Sequence, residues 1–271
     1  MRRFLLSVVM CVAVSAAQAA DLSDLPILRG AYTEGLTTSK VNWQGVYVGG
    51  QGGVGTSEMN FTGVTQQLAS RLLVDTAVEN FGGIAELPLG GKTAVHGDGI
   101  GAFIGYNSQW DDIVLGVEFN YMHGKFGGSQ TNSSTPRFFA AGGGFTDSAV
   151  SQAIASVSIS DMATLRARAG YAWGVFLPYV FGGVALGHAD IVRTARVFGD
   201  QVSPTGVDFP FDVSATDAQN NRMIYGYSAG LGVDVMLISC LFLRAEWEYV
   251  RFATVIDTNV NTFKAGLGYK F

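Results

Sequence analysis

From Trp43 onward the chain breaks into segments of about ten residues in which apolar residues alternate with polar or small ones, and the connections between them alternate in length. Strands are expected near 43–54, 99–110, 113–126, 155–171, 176–187, 222–235, 241–251 and 262–271. Connections 55–98, 127–154 and 188–221 are long and polar and 252–261 is shorter, whereas Asp111-Asp112, 172–175 and 236–240 are tight. Eight strands with every second connection short bring both ends of the sheet to one side and all the long connections to the other. A water-soluble sandwich has no reason to segregate its connections in this way.

Face parity agrees. Ile113, Leu115, Val117, Phe119 and Tyr121 share one face of their strand, opposite Val114, Gly116, Glu118 and Asn120. Leu241, Leu243, Ala245, Trp247 and Tyr249 likewise alternate with Phe242, Arg244, Glu246 and Glu248. Either parity of 176–187 leaves apolar groups inside. Charged residues are only 14% of the chain, against roughly 25% in ordinary domains. The 36 glycines would weaken helix interiors by roughly 1 kcal/mol each. Gly170 to Gly187 is long enough for a membrane helix, but its glycines and Pro178 suit two strands and a tight turn better. The expected fold is all-β: an eight-stranded antiparallel up-and-down transmembrane β-barrel with long extracellular loops and short periplasmic turns.

Met1-Arg2-Arg3, the apolar run Phe4 to Ala17 and the small-x-small Ala17-Gln18-Ala19 read as a secretory signal peptide over 1–19. Residues 20–41 then form a periplasmic lead-in, and 42–271 the barrel. Cleavage leaves 15 basic against 22 acidic residues, a formal charge of about −7, which argues against nucleic acid as a partner. Of the two cysteines only Cys240 survives cleavage, so no internal disulfide is available.

The parity points Glu118, Arg166, Arg168, Asp234, Arg244, Glu246, Glu248, Lys264 and Lys270 into the lumen. An eight-stranded barrel is just wide enough for side chains to fill it. Unpaired charges there are costly, so a structural pairing network that plugs the lumen is expected. A narrow path for small ions is the competing reading. Trp43, Trp110, Trp173 and Trp247, with Tyr106, Tyr121, Tyr171, Tyr249 and Tyr269, fall near strand ends, where amphipathic rings favour the membrane interface.

Catalytic and cofactor motifs are not found. Gly90-Gly91-Lys92-Thr93 ends like a phosphate-binding loop, but Glu86 stands where the first glycine is needed. Zinc spacings do not occur, and no cofactor is expected. His96, His123 and His188 lie near strand ends on the loop side, where they are either solvated or gathered as haem or metal ligands. Val64, Leu68, Leu72 and Val78 have roughly helical spacing, compatible with a short surface helix in the first long loop.

Seven collinear segments carry a resemblance: Trp43 to Gly53, Gly105-Tyr-Asn with Leu115 to Glu118, Leu165 to Tyr171, Pro178 to Ala185, Gly226 to Asp234, Arg244 to Tyr249 and Gly266 to Phe271. They resemble the small "porin family" outer-membrane β-barrel proteins of alphaproteobacteria, a group that includes major surface antigens and haemin-binding proteins. The terminal Phe263, Leu267, Tyr269 and Phe271 resemble the signal by which such barrels are recognised by the assembly machinery. The resemblance implies residence in the bacterial outer membrane, with its lipid and lipopolysaccharide as partners, and an OmpA-type barrel. A structural, non-enzymatic protein of the envelope is expected. A passive small-solute pore and a loop-based haem or ligand receptor are the alternatives.

Overall fold

A computed structural model describes residues 41–271, so the expected signal peptide and nearly all of the lead-in lie outside the described residues. Nine strands follow in chain order: β1 (Gly45–Asn60), β2 (Lys92–Trp110), β3 (Ile113–Ser133), β4 (Arg137–Gly142), β5 (Phe145–Tyr171), β6 (Phe176–Val202), β7 (Asp208–Ile238), β8 (Leu241–Phe252) and β9 (Asp257–Lys270). The sheet order is β3-β2-β1-β9-β8-β7-β6-β5-β4, and β3 also pairs with β5. Eight strands thus close a ring, with β4 outside it. Closure satisfies both edges of the strands in the ring, which a bilayer demands because lipid supplies no hydrogen bonds. No helix among the described residues is long and apolar enough to cross a membrane.

The outward face identifies the solvent. Ile104, Leu115, Val117, Phe119, Leu165, Val180, Val184, Leu231 and Phe263 all point outward and are 44–65% exposed. A continuous apolar face of this extent belongs against lipid. Trp110, Tyr171 and Trp173 lie at its lower edge beside the short turns. At its upper edge the outward series passes from Ile100 to Asp98, from Tyr121 to His123 and from Tyr249 to Arg251.

Two expectations need correction. The connections 127–154 and 188–221 are not loops. In the first, β3 and β4 run almost continuously along β5, broken at Ser134–Pro136 where proline removes a donor, and the chain turns at Gly142–Gly144. In the second, β6 and β7 extend as one hairpin to a turn at 203–207, with Gly206 at φ 79°. Together they raise a crown above one side of the barrel. The first connection contains two helices rather than one, α1 (Gln66–Leu72) and α2 (Ala77–Gly82). They are not simply on the surface, because Ala69, Leu73, Ile84 and Ala85 pack against Ala149, Ala195 and Val197 of the crown.

Candidate functional site

The lumen is built in three layers. Nearest the short turns, aromatic rings lie over glycines of the neighbouring strand. Phe103 sits across from Gly49, Tyr47 from Gly105, Phe242 from Gly268, Tyr179 from Gly232 and Phe181 from Gly230. A Cβ on Gly268 would lie 2.2 Å from the Phe242 ring, so only glycine leaves room for that ring. This explains why 176–187 is apolar on both faces. Leu177, Tyr179 and Phe181 point inward, while Val180 and Val184 face lipid. Trp43 joins this layer, 1% exposed and edge-on to Phe242 at 6.1 Å, so it fills the lower lumen instead of joining the interfacial girdle.

Guanidinium groups stack directly on these rings. Arg244 lies 3.9 Å from the Phe103 centroid, Arg168 3.7 Å from that of Tyr179 and Arg166 4.0 Å from that of Phe181. The rings hold the fork-shaped donors flat and aim them at carboxylates. Glu118 accepts from Arg166, from Arg244 at 2.8 Å and from the Tyr47 hydroxyl at 2.7 Å. Asp234 accepts from Arg168 at 2.7 Å and from Arg244 Nε at 2.8 Å. Glu246 accepts from Arg166 at 2.6 Å and from Tyr179 at 2.8 Å, and Glu248 accepts from Lys264. Each of these charged groups is buried.

The structure therefore brings together eight of the nine expected lumen residues. Lys270 is the exception and the correction. It has the inward parity but sits at the periplasmic rim, where its Nζ donates to the Gln44 carbonyl at 3.2 Å. Without it the layer holds four acids and four bases, so it is formally neutral. Tyr47, Tyr179, Gln51 and Asn120 also belong to the layer. The Gln51 amide donates to Asn120 Oδ1 at 3.0 Å, and Lys264 reaches the same oxygen at 3.4 Å. Their inward parity was the available signal, but neutral side chains draw no attention in a search for charges.

Above the charges the lumen is apolar. Met59, Met122, Phe126, Val157, Ile159, Ile191, Phe252 and Val260 fill it, and Phe61, at the start of the β1–β2 connection, closes the cluster. The arrangement can hold eight charges out of water.

The family model described as "outer membrane protein beta-barrel domain" matches residues 4–271. The chain belongs to that family. Similar curated proteins include the "25 kDa outer-membrane immunogenic protein" of Brucella ovis, 26% identical over 172 residues, which are 63% of this chain and 62% of that protein. Its counterpart in Brucella melitensis is 26% identical over 182 residues, 63% of this chain and 64% of that protein. This barrel thus spans less than two thirds of the length of the relatives it matches. Among solved structures, the attachment invasion locus protein Ail of Yersinia pestis is 12% identical with a TM-score of 0.37, covering 84% of this chain and 99% of its own. OprG of Pseudomonas aeruginosa is 15% identical with a TM-score of 0.37, covering 84% and 96%.

On this outer-membrane barrel the three histidines are not gathered. His123 on β3 contacts Asp161 at 2.8 Å, and Asp161 lies across from His188 on β6. His96 stands on β2 across from Thr56, with Ile100 rather than His96 level with His123. Phe263, Leu267 and Tyr269 point outward on β9, and with Phe271 just beyond it they are 45–72% exposed.

Proposed function

We propose that this outer-membrane protein is a closed structural barrel that contributes to envelope integrity and displays the crown at the cell surface. The observation that carries this reading is the neutral layer of four acids and four bases between an aromatic layer and an apolar one. Ion permeation would require both flanking layers to open and the paired charges to separate, and each unpaired ion there costs several kcal/mol. The lipid-facing belt is offered to outer-membrane lipid and lipopolysaccharide. The exposed Phe263, Leu267, Tyr269 and Phe271 are offered to the assembly machinery. No reaction and no cofactor are assigned.

Proteoliposomes carrying the barrel should swell in isosmotic glucose no faster than empty liposomes. Cells lacking the protein should become more sensitive to detergent. Solute-dependent swelling would favour permeation, and unchanged detergent sensitivity would remove the envelope role.

A further inference from the structure

On the side of the long connections, the outer wall carries a groove at the level where the lipid-facing belt ends. The outward positions of β1 run Val54, Thr56, Glu58 and Asn60, alternating with Gly55, Ser57 and Met59. Register sets Val54 between Asp98 of β2 and Phe263 of β9, and Thr56 between His96 and Asn261. Glu58 then lies between Ala94 and Asn259, and Asn60 between Lys92 and Asp257. Val54 and Phe263 are the last apolar outward groups of their strands, 63% and 65% exposed.

Two hollows follow one another up this stripe. The lower, of about 420 Å³, has Val54 and Phe263 at its foot and Thr56, His96, Asp98 and Asn261 above, with two glycines between. The upper, of about 480 Å³, is lined by Lys92, Arg251, Glu58, Asp257, Asn60 and Asn259, with one threonine, one alanine and one methionine completing it. Beneath both, Gly50 lies beside Ala102 and Gly52 beside Ala265 on the lipid face. A carbon added to either glycine meets nothing closer than a carbonyl at 3.9 Å. A shallow trough thus leads out of the hydrocarbon level and into the hollows.

A groove that begins against hydrocarbon and ends among charges fits one molecule with both parts, a lipid whose headgroup enters the hollows. The lining sets the headgroup. Lys92 and Arg251 offer charged donors to a phosphate, and Arg251, 47% exposed and 4.0 Å from Asp257, keeps its fork open to the groove. Glu58 and Asp257 repel a bare phosphate but accept from hydroxyls, as do the amides. Each hollow is within the size range of small-molecule sites, more room than a phosphate with a two-carbon amine fills.

We propose that this groove binds a phosphorylated glycolipid of the outer leaflet, its phosphate at Lys92 and Arg251, its sugar hydroxyls at the carboxylates and amides, and an acyl chain over Gly50 and Gly52. The proposal rests on the reading that the outer wall meets outer-membrane lipid and lipopolysaccharide, and it gives that contact one place on the wall.

The test is native mass spectrometry of the full barrel released from a non-ionic detergent, titrated with diphosphoryl lipid A, with dipalmitoylphosphatidylethanolamine and with free glucosamine 6-phosphate. The expected result is one saturable lipid A adduct, with phosphatidylethanolamine roughly tenfold weaker and the free sugar phosphate weaker still for want of buried chains. Lys92→Gln combined with Arg251→Gln should weaken the lipid A adduct roughly tenfold or more, the scale of lost charge-assisted hydrogen bonds, while heat-dependent gel migration shows the barrel intact. Thr56→Trp, which fills the lower hollow and leaves every charge in place, should weaken it as well. Equal affinity for phosphatidylethanolamine, free glucosamine 6-phosphate binding as tightly as lipid A, or variants that bind like the parent would each overturn the proposal. Several weak, non-saturating lipid A adducts that neither variant changes would overturn this site and leave the general contact with lipid standing, whereas no lipid adduct of any kind would remove both.

Discussion

Glu118 accepts from Arg166, Arg168, Arg244 and Tyr47. Its replacement by alanine leaves three buried guanidinium groups short of an acceptor. Losing one partner from a buried network costs about 3–5 kcal/mol, far more than the network's net worth. Glu118→Ala should therefore lower the temperature at which the folded gel band converts to the unfolded one, and Glu118→Gln should lower it less. Unchanged conversion in both would show that the charges do not support one another. The glycines allow a sharper contrast. Gly268→Ala drives a methyl group into the Phe242 ring and should cost about 1–3 kcal/mol. Gly50→Ala, whose added carbon meets nothing closer than a carbonyl at 3.9 Å, should be near neutral in the same heating assay. Equal effects would contradict the ring-on-glycine packing. The charged residues of the layer were legible from period-two parity alone, because each sits opposite an apolar, lipid-facing neighbour. The rim position of Lys270 was not legible, because parity gives the face of a residue but not its depth along the barrel axis. The same limitation hid Trp43, whose type suits both an interface and a core.

At the scale of elements, the membrane-spanning parts of the strands were readable and their extensions were not. Between lipid and lumen, alternation is enforced on both sides, as in 113–121. Above the membrane both faces of β5 to β7 are partly wetted or covered by small residues. Stretches such as Ser148 to Ser158 therefore keep only Val150 and Ile154 among outward positions otherwise held by Ser and Gln, too few to mark a strand. Half of the apolar upper lumen, Met59, Ile191, Phe252 and Val260, comes from strand ends that read as loop, while Met122, Phe126, Val157 and Ile159 lie within the expected strands, where parity gives the inward face but not the depth. Because residues 55–60 and 92–98 belong to β1 and β2, a clean removal of the first connection spans only 62–90. Replacing that stretch with a short Gly-Ser linker should leave insertion and heat-dependent migration intact, since the ring's hydrogen bonds close without it. A chain that fails to insert would show that the two helices are needed for assembly.

The crown also has a pH dependence of known sign. Hydrogen bonding from Arg193 holds the Asp217 carboxyl below its ordinary value of 3.8, and hydrogen bonding from Arg196 does the same for Asp212. Arg193 also donates to the Val64 carbonyl at 3.1 Å, tying the first connection to β6. Groups with a lowered folded-state value stabilise fully above their unfolded value and lose that contribution as pH falls through the folded one. Amide exchange in 62–90 and 190–220, corrected for its intrinsic pH dependence, should be unchanged down to about pH 4 and accelerate only below it. Acceleration between about pH 7 and 5 would mean that other groups hold the crown.

For the whole molecule, the lumen is closed at three levels: rings on glycines, a neutral charge layer, and an apolar layer capped by Phe61. The two lower levels take no residue from the crown, and the apolar layer takes only its base at Ala189 and Ile191, so the barrel should stay closed whatever the crown does. Single-channel recording of the folded protein in a planar bilayer tests this most directly. A closed lumen should leave the membrane silent, with insertion verified independently by heat-dependent migration of the recovered protein. Stable, reproducible conductance steps would contradict it and make permeation the function to explain.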